Sequence, residues 1–323
     1  MKNIPILVSD RGHQPTRNNI LKMFDATSLG ALENLSDRQR ASIRGIACLF
    51  DTLGKTQFDM LTNLEIVASF GVGYDQIDAA AAAERGIMVT HTPGVLDDEV
   101  ADTTIGLLLS TIREIPGAEA YLRDGRWAAD GPYPLSKLTL RGRRVGIFGM
   151  GRIGHAIARR LEGFGVEIAY HNRSVIAQCG YQYFGSLVEL AENVDTLINV
   201  APATAQTRNT VDAAIFKALG HTGVFINVGR GATVVQEDLA VALHHGTIAA
   251  AGLDVYADEP DVPASLLAAP NTVLLPHIAS ASEHTRAAMG QLVIENLISW
   301  FDKGVPVSSV PETRHLPQKT AAI

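Results

Sequence analysis

The chain has 323 residues, enough for two separately packed cores, and 46% of them are hydrophobic while 19% are charged. Those fractions belong to a globular protein and exclude a disordered or low-complexity chain. A net charge of −7 supplies no electrostatic footprint for nucleic acid or an anionic membrane.

Residues 1–9 hold Lys2 but no long apolar core, so a secretory signal is not expected. A short apolar run at 4–8 reads as a first buried strand, and similar runs follow at 45–50, 66–69 and 87–90. Polar, helix-compatible segments lie between them, and Thr92-Pro93-Gly94 is a turn. Strands alternating with helices in this way predict a parallel sheet with helices on both faces. A helical pattern then runs from Asp98 to Glu114 and on to about Asp124. Its most apolar part, 105–112, is too short to span a bilayer and is interrupted by Ser110 and Thr111, which makes a cytoplasmic location the expectation. Residues 125–134, with Pro132 and Pro134, read as a loop.

A second series of strands is expected at 143–148, 166–170, 196–200, 224–228, 250–255 and 272–275, followed by a helix over 282–301 and a segment from 305 onward that wraps or frays. The fold class is therefore α/β, with two doubly wound parallel-sheet domains, Rossmann-like or flavodoxin-like, and an active-site cleft between them. Residues 1–98 plus 283–323 are expected to form one discontinuous domain, and 99–282 the other. The two cysteines, Cys48 and Cys179, are far apart in sequence, which argues against a disulfide framework or a Cys-rich zinc site. Both are expected to be buried apolar thiols. The histidines outside the site proposed below show no metal-ligand spacing, and no metal is expected.

In the 99–282 domain the apolar run Val145-Gly146-Ile147-Phe148 leads into Gly149-Met150-Gly151-Arg152-Ile153-Gly154 and then a helix over 155–164. This is the context of a dinucleotide-binding turn. Gly149 permits the tight turn, Gly151 lets the backbone approach a pyrophosphate, and Gly154 lets helix pack on strand. The helix N-terminus adds N–H groups and partial positive charge for the phosphates. The next strand ends in His171-Asn172-Arg173-Ser174, without the Asp or Glu that would hold the ribose 2′-OH of NAD. Asn172 keeps a neutral hydrogen-bonding group, Arg173 offers a planar cationic fork, and Ser174 a hydroxyl. That set predicts NADP(H) over NAD(H).

Three further residues follow consecutive apolar strands: Arg230 between Gly229 and Gly231, Glu259 in Asp258-Glu259-Pro260, and His277 after Pro276. His277 can supply a proton, Glu259 can pair with its ring and fix the tautomer, and Arg230 can bind and polarise a carboxylate or carbonyl oxygen. Together with a dinucleotide turn they predict hydride transfer to or from a 2-oxo or 2-hydroxy acid.

On these residues the chain resembles the D-isomer-specific 2-hydroxyacid dehydrogenases. The likeness runs from about Ile66 to Met289 through Gly71-Val72-Gly73-Tyr74-Asp75, Gly149–Gly154, Asn227-Val228-Gly229-Arg230-Gly231, Gly252–Pro260 and Pro276-His277. The resemblance implies that Arg230, Glu259 and His277 are the catalytic three, and that backbone N–H groups near Val72 and Gly73 hold the substrate carboxylate. It implies as well that Asp254 orients the nicotinamide carboxamide and that Thr104 reaches the cofactor. It further implies a homodimer in which Trp127 reaches the partner's active site. Within the family, Asn172-Arg173-Ser174, the run Val95–Asp102 and Ser280-Ala281-Ser282 look most like NADPH-dependent glyoxylate/hydroxypyruvate reductases, and somewhat like hydroxyphenylpyruvate reductases. The expected substrates are thus glyoxylate and hydroxypyruvate, giving glycolate and D-glycerate. The alternatives are a reductase of aromatic or branched 2-oxo acids and, in another class, a nucleotide-sensing interaction protein. No C-terminal regulatory extension of the kind found in long phosphoglycerate dehydrogenases is expected.

Overall fold

Each apolar run can bury both faces only inside a parallel sheet that is covered on both sides, and the intervening amphipathic segments supply that cover. The computed structural model describes residues 1–317. It divides into two compact units, Met1–Leu96 together with the chain from Ser282 onward, and Asp97–Ala281. The second unit opens two residues before the sequence-based boundary. The helix Asp97–Arg113 starts there, and Asp97 pairs with Arg152 of the same unit at 3.3 Å.

The first unit carries a five-stranded sheet in the order β2-β1-β3-β4-β5, with β1 Pro5–Val8, β2 Asp25–Ser28, β3 Gly45–Cys48, β4 Ile66–Ser69 and β5 Met88–Thr90. Every pair is parallel, which is the flavodoxin-like doubly wound order. Leu7, Ile46 and Val67 on the inner strands and Val89 on the edge strand β5 are fully buried. β2 was not foreseen from sequence. Its Asp-Ala-Thr-Ser run alternates exposed and half-buried at the sheet edge, so it has no apolar signature. The helix Glu283–Lys303 returns to this unit and buries Met289, Val293, Leu297 and Trp300. It lies close against the helix Gln14–Met23, where a Cβ on Gly290 would sit 1.8 Å from Thr16 Oγ1. Up to Thr313 the following segment is packed rather than frayed. Ser309 bridges Thr90, Val310 and Thr313 are fully buried, and Thr313 Oγ1 donates to the Val89 carbonyl at 3.1 Å. Residues 318–323 lie outside the described residues.

The second unit carries a seven-stranded sheet ordered β12-β11-β10-β9-β6-β7-β8. The strands are β6 Arg144–Phe148, β7 Glu167–His171, β8 Gln182–Tyr183, β9 Thr196–Asn199, β10 Val224–Asn227, β11 Ala250–Leu253 and β12 Thr272–Leu274. From β8 to β11 this is the Rossmann order, with β12 added beyond it. β8 is a two-residue edge strand, too short to be read from periodicity. Parallel pairing puts the strand ends in one row: His171 opposite Phe148, Phe148 opposite Asn199, Asn199 opposite Asn227, Asn227 opposite Leu253, and Leu253 opposite Leu274.

The single helix expected over 98–124 is two, Asp97–Arg113 and Ile115–Arg123. Pro116 has no N–H to continue the ladder, and the chain reverses through Glu114 at φ 54°. The stretch read as a loop contains a short helix, Arg126–Asp130, with an Arg126–Asp130 ion pair at 2.8 Å. Cys48 is buried, and burial pushes its thiol up to about 12. Cys179 is only half-buried, contrary to expectation, with Sγ 3.7 Å from His155 Nε2. No helix among the described residues is long and apolar enough to cross a membrane.

Candidate active site

Gly149 follows β6 at φ 103°, a backbone conformation open to glycine, and a Cβ there would meet Ala201 N at 2.7 Å. A Cβ on Gly154 would meet the Gly149 carbonyl oxygen at 2.5 Å. Gly151 differs. Its φ of −93° suits any residue, and a Cβ would meet nothing within 4 Å. Nothing inside the protein requires glycine at that point, and the open, exposed cradle fits a close-approaching pyrophosphate. The helix Arg152–Glu162 starts directly behind it, three residues earlier than the sequence suggested, with no side chain capping its first N–H groups. Arg152 is exposed and Ile153 half-buried.

At the end of β7, Arg173 and Ser174 are exposed. Asn172 does something the sequence did not suggest. Its Oδ1 accepts from Met150 N at 2.7 Å and its Nδ2 donates to the Met150 carbonyl at 3.3 Å. Its amide therefore clamps the glycine turn instead of facing a ribose. Any 2′-phosphate recognition from this run falls to Arg173 and Ser174.

Arg230, Glu259 and His277 all follow strands whose ends are in register. Gly231 lets the loop after β10 press against the loop after β11, since a Cβ there would lie 1.8 Å from the Tyr256 carbonyl carbon. Arg230 Nη1 donates to the Gly229 carbonyl at 2.8 Å. His277 Nδ1 is 2.6 Å from Glu259 Oε2, while Glu259 Oε1 accepts from Tyr256 N at 2.9 Å. A carboxylate can only accept, so Nδ1 carries the hydrogen and Nε2 is the ring atom turned to other partners. Burial pushes the Glu259 carboxyl up, but the His277 and Tyr256 hydrogen bonds and the charges of His277 and Arg230 outweigh it and hold it below the ordinary glutamate value.

His277 itself sits at φ 54°, a strained conformation for a side chain with a Cβ, costing about 1–3 kcal/mol. Its neighbours hold it there. Asp254, fully buried, accepts from Ile278 N at 2.7 Å and Ala279 N at 2.8 Å, and the Tyr256 hydroxyl donates to the Leu275 carbonyl at 3.1 Å. Burial pushes the Asp254 carboxyl up against these two N–H bonds. Asp254 thus ties down the His277 loop and is out of solvent reach. Thr104 is also fully buried, and its hydroxyl donates to the Val100 carbonyl at 2.6 Å.

In the first unit, the turn Gly71-Val72-Gly73 follows β4. The Gly71 carbonyl accepts from Thr92 N at 2.8 Å, and the Val72 carbonyl lies 2.9 Å from His91 Nδ1. Both carbonyls are therefore held by the chain after β5. Trp127 is 62% exposed. Sequence reasoning missed three buried polar residues near Arg230: Asn199, Asn227 as a side chain, and Thr233. The signal available was an asparagine closing each of two neighbouring apolar strands.

The model of the D-isomer specific 2-hydroxyacid dehydrogenase, NAD binding domain, matches residues 105–279. A solved NADPH-dependent glyoxylate/hydroxypyruvate reductase from Sinorhizobium meliloti, in complex with NADP and malonate, is 50% identical with a TM-score of 0.94, covering 98% of this chain and 99% of that one. Glyoxylate/hydroxypyruvate reductase A of Arabidopsis thaliana is 45% identical over 241 residues, 75% of this chain and 76% of the relative. Hydroxyphenylpyruvate reductase of Plectranthus scutellarioides is 45% identical over 245 residues, 75% of this chain and 77% of the relative. With its Rossmann-ordered sheet, open glycine cradle and His277–Glu259 pair, the chain belongs to the D-isomer specific 2-hydroxyacid dehydrogenase family.

Proposed function

We propose that this chain reduces small 2-oxo acids, glyoxylate and hydroxypyruvate, to glycolate and D-glycerate with NADPH. The observation that carries this reading is the 2.6 Å bond between His277 Nδ1 and Glu259 Oε2, which leaves Nε2 of the ring to hand a proton to a carbonyl oxygen. NADPH, when bound, supplies the hydride. Glu259 holds the ring's tautomer and balances the positive charge on protonated His277. Arg230 binds the substrate's carboxylate and carbonyl oxygens and stabilises negative charge as it develops. In the first unit, the backbone N–H groups of Val72 and Gly73 are the groups that would bind a carboxylate. Gly151, Arg152 and Ile153 hold the pyrophosphate on the turn that Gly149 and Gly154 make possible, and Arg173 with Ser174 holds the 2′-phosphate. Asp254 orients the nicotinamide carboxamide while anchoring the His277 loop, and Thr104 reaches the cofactor from the helix Asp97–Arg113. The likeness to a hydroxyphenylpyruvate reductase makes aromatic 2-oxo acids the second reading, separable by rates on phenylpyruvate.

We also propose a homodimer. Ile115, Leu122, Trp127 and Leu135 are 50%, 56%, 62% and 95% exposed within one short stretch, an apolar surface suited to a second copy. Sedimentation equilibrium should give twice the chain mass, and a monomer at micromolar concentration would overturn this.

NADPH oxidation should be fast with glyoxylate and hydroxypyruvate, and His277→Ala should lower turnover at least ~100-fold. Near-normal turnover in that variant would remove His277 from the proton step. Arg173→Ala should raise the KM for NADPH by roughly 10- to 100-fold, the loss of a charge-assisted hydrogen bond, and leave that for NADH nearly unchanged. Equal effects on both cofactors would dismiss the 2′-phosphate role.

Stability should report Glu259 directly. Because its carboxyl is held below the ordinary value of 4.5, the unfolded chain takes up the proton more readily. The stabilisation is present above that value and is lost as pH falls through the lower folded one. Thermal melts of the protein and of Glu259→Gln should therefore differ above pH 4.5 and converge as the pH falls below it. A gap that stays constant with pH would contradict this.

A further inference from the structure

Behind Arg230 lies a closed set of buried hydrogen bonds formed by Asn199 at the end of β9, Asn227 at the end of β10, and Thr233. All three are 0–1% exposed. Asn199 Nδ2 donates to Asn227 Oδ1 at 3.0 Å and to Thr233 Oγ1 at 2.6 Å. Thr233 Oγ1 donates to the Arg230 carbonyl at 2.7 Å, and Asn227 Nδ2 donates to the same carbonyl at 3.3 Å. Asn227 Oδ1 also accepts from Gly229 N at 3.1 Å, and Asn199 Oδ1 accepts from Ala201 N at 3.2 Å. The donor count fixes the orientation of both amides. Asn199 Nδ2 has two hydrogens and both are used, and flipping that amide would set oxygen against oxygen.

The set holds Arg230 from two directions. One is its own carbonyl. The other is residue Gly229, whose N–H is anchored on Asn227 and whose carbonyl accepts from Arg230 Nη1 at 2.8 Å. We infer that Asn199, Asn227 and Thr233 are positioning residues that set where the Arg230 guanidinium stands, with the Thr233 hydroxyl closing the set. This rests on the reading of Arg230 as the substrate-binding cation. Each side-chain polar atom of the three has a partner in this buried network, which favours one arrangement, and a guanidinium displaced by about 1 Å costs on the order of 100-fold in rate.

Thr233→Val keeps shape and removes both the donor to Arg230 and the acceptor for Asn199. Thr233→Ser keeps both. We expect Thr233→Val to lower kcat/KM for glyoxylate and hydroxypyruvate about 10- to 100-fold, mostly through KM, with NADPH affinity by fluorescence titration within about 2-fold of the parent. Thr233→Ser should retain activity within about 3-fold. A crystal structure of Thr233→Val should show the guanidinium displaced, and Thr233→Ala provides the same test if the valine variant does not fold. The inference is overturned if the guanidinium keeps its place, if only the melting temperature falls, or if the serine variant fails equally. Absence of 2-oxo acid turnover in the parent protein would overturn the reading of Arg230 instead, and the crystal structures would still decide the network.

Discussion

Parallel, in-register hydrogen bonding of the second sheet is the constraint on which the rest of the site depends. It sets His171, Phe148, Asn199, Asn227, Leu253 and Leu274 in one row, so the loops that follow them all leave the sheet at the same edge. The glycine turn, Asn172, Arg230, Glu259 and His277 are each within a few residues of that row. A one-residue slip in any pair would turn inward-facing side chains outward and shift the loop beyond it. The apolar strand interiors, Leu197, Ile198, Phe225 and Ile226 among them, make such a slip costly because they are fully buried.

Polar residues enter this sheet at its ends, and there they act on the backbone. Asn199 and Asn227 close β9 and β10, Asp254 follows β11, and each spends its side chain on main-chain groups of the loops beyond. The groups that can meet a ligand, Arg173, Glu259 and His277, are exposed. Buried polar atoms thus set geometry and exposed ones are available for chemistry. His277 shows why both layers are needed, since its left-handed backbone is kept by Asp254 behind and its ring by Glu259 beside. Asn172 divides the cofactor end in the same way, by tying the turn and leaving Arg173 outward.

Much of the fold was legible because buried parallel strands are short apolar runs between helical patterns. The runs that escaped, β2 and β8, are polar or very short edge strands whose pairing is decided by a neighbouring backbone. The break at Glu114 was available in Pro116, but it was masked by apolar periodicity continuing on either side. Cys179 was read as buried because cysteine usually is, whereas its loop after β7 leaves it partly open.

Within the site, sequence by itself determined the chemistry on offer: a glycine turn after an apolar strand, an absent acid at the end of β7, and an Arg, a Glu and a His after successive strands. Residue type and spacing suffice for that, because the turn is local and the strands are recognised one at a time. Only the tertiary structure decided which of these side chains are spent on the protein's own backbone. Asn172 on Met150, and Asp254 on Ile278 and Ala279, depend on loops brought together from different strands. A hydrogen bond formed across a sheet edge leaves no periodicity in the chain, so its partners become readable only once the strands are paired.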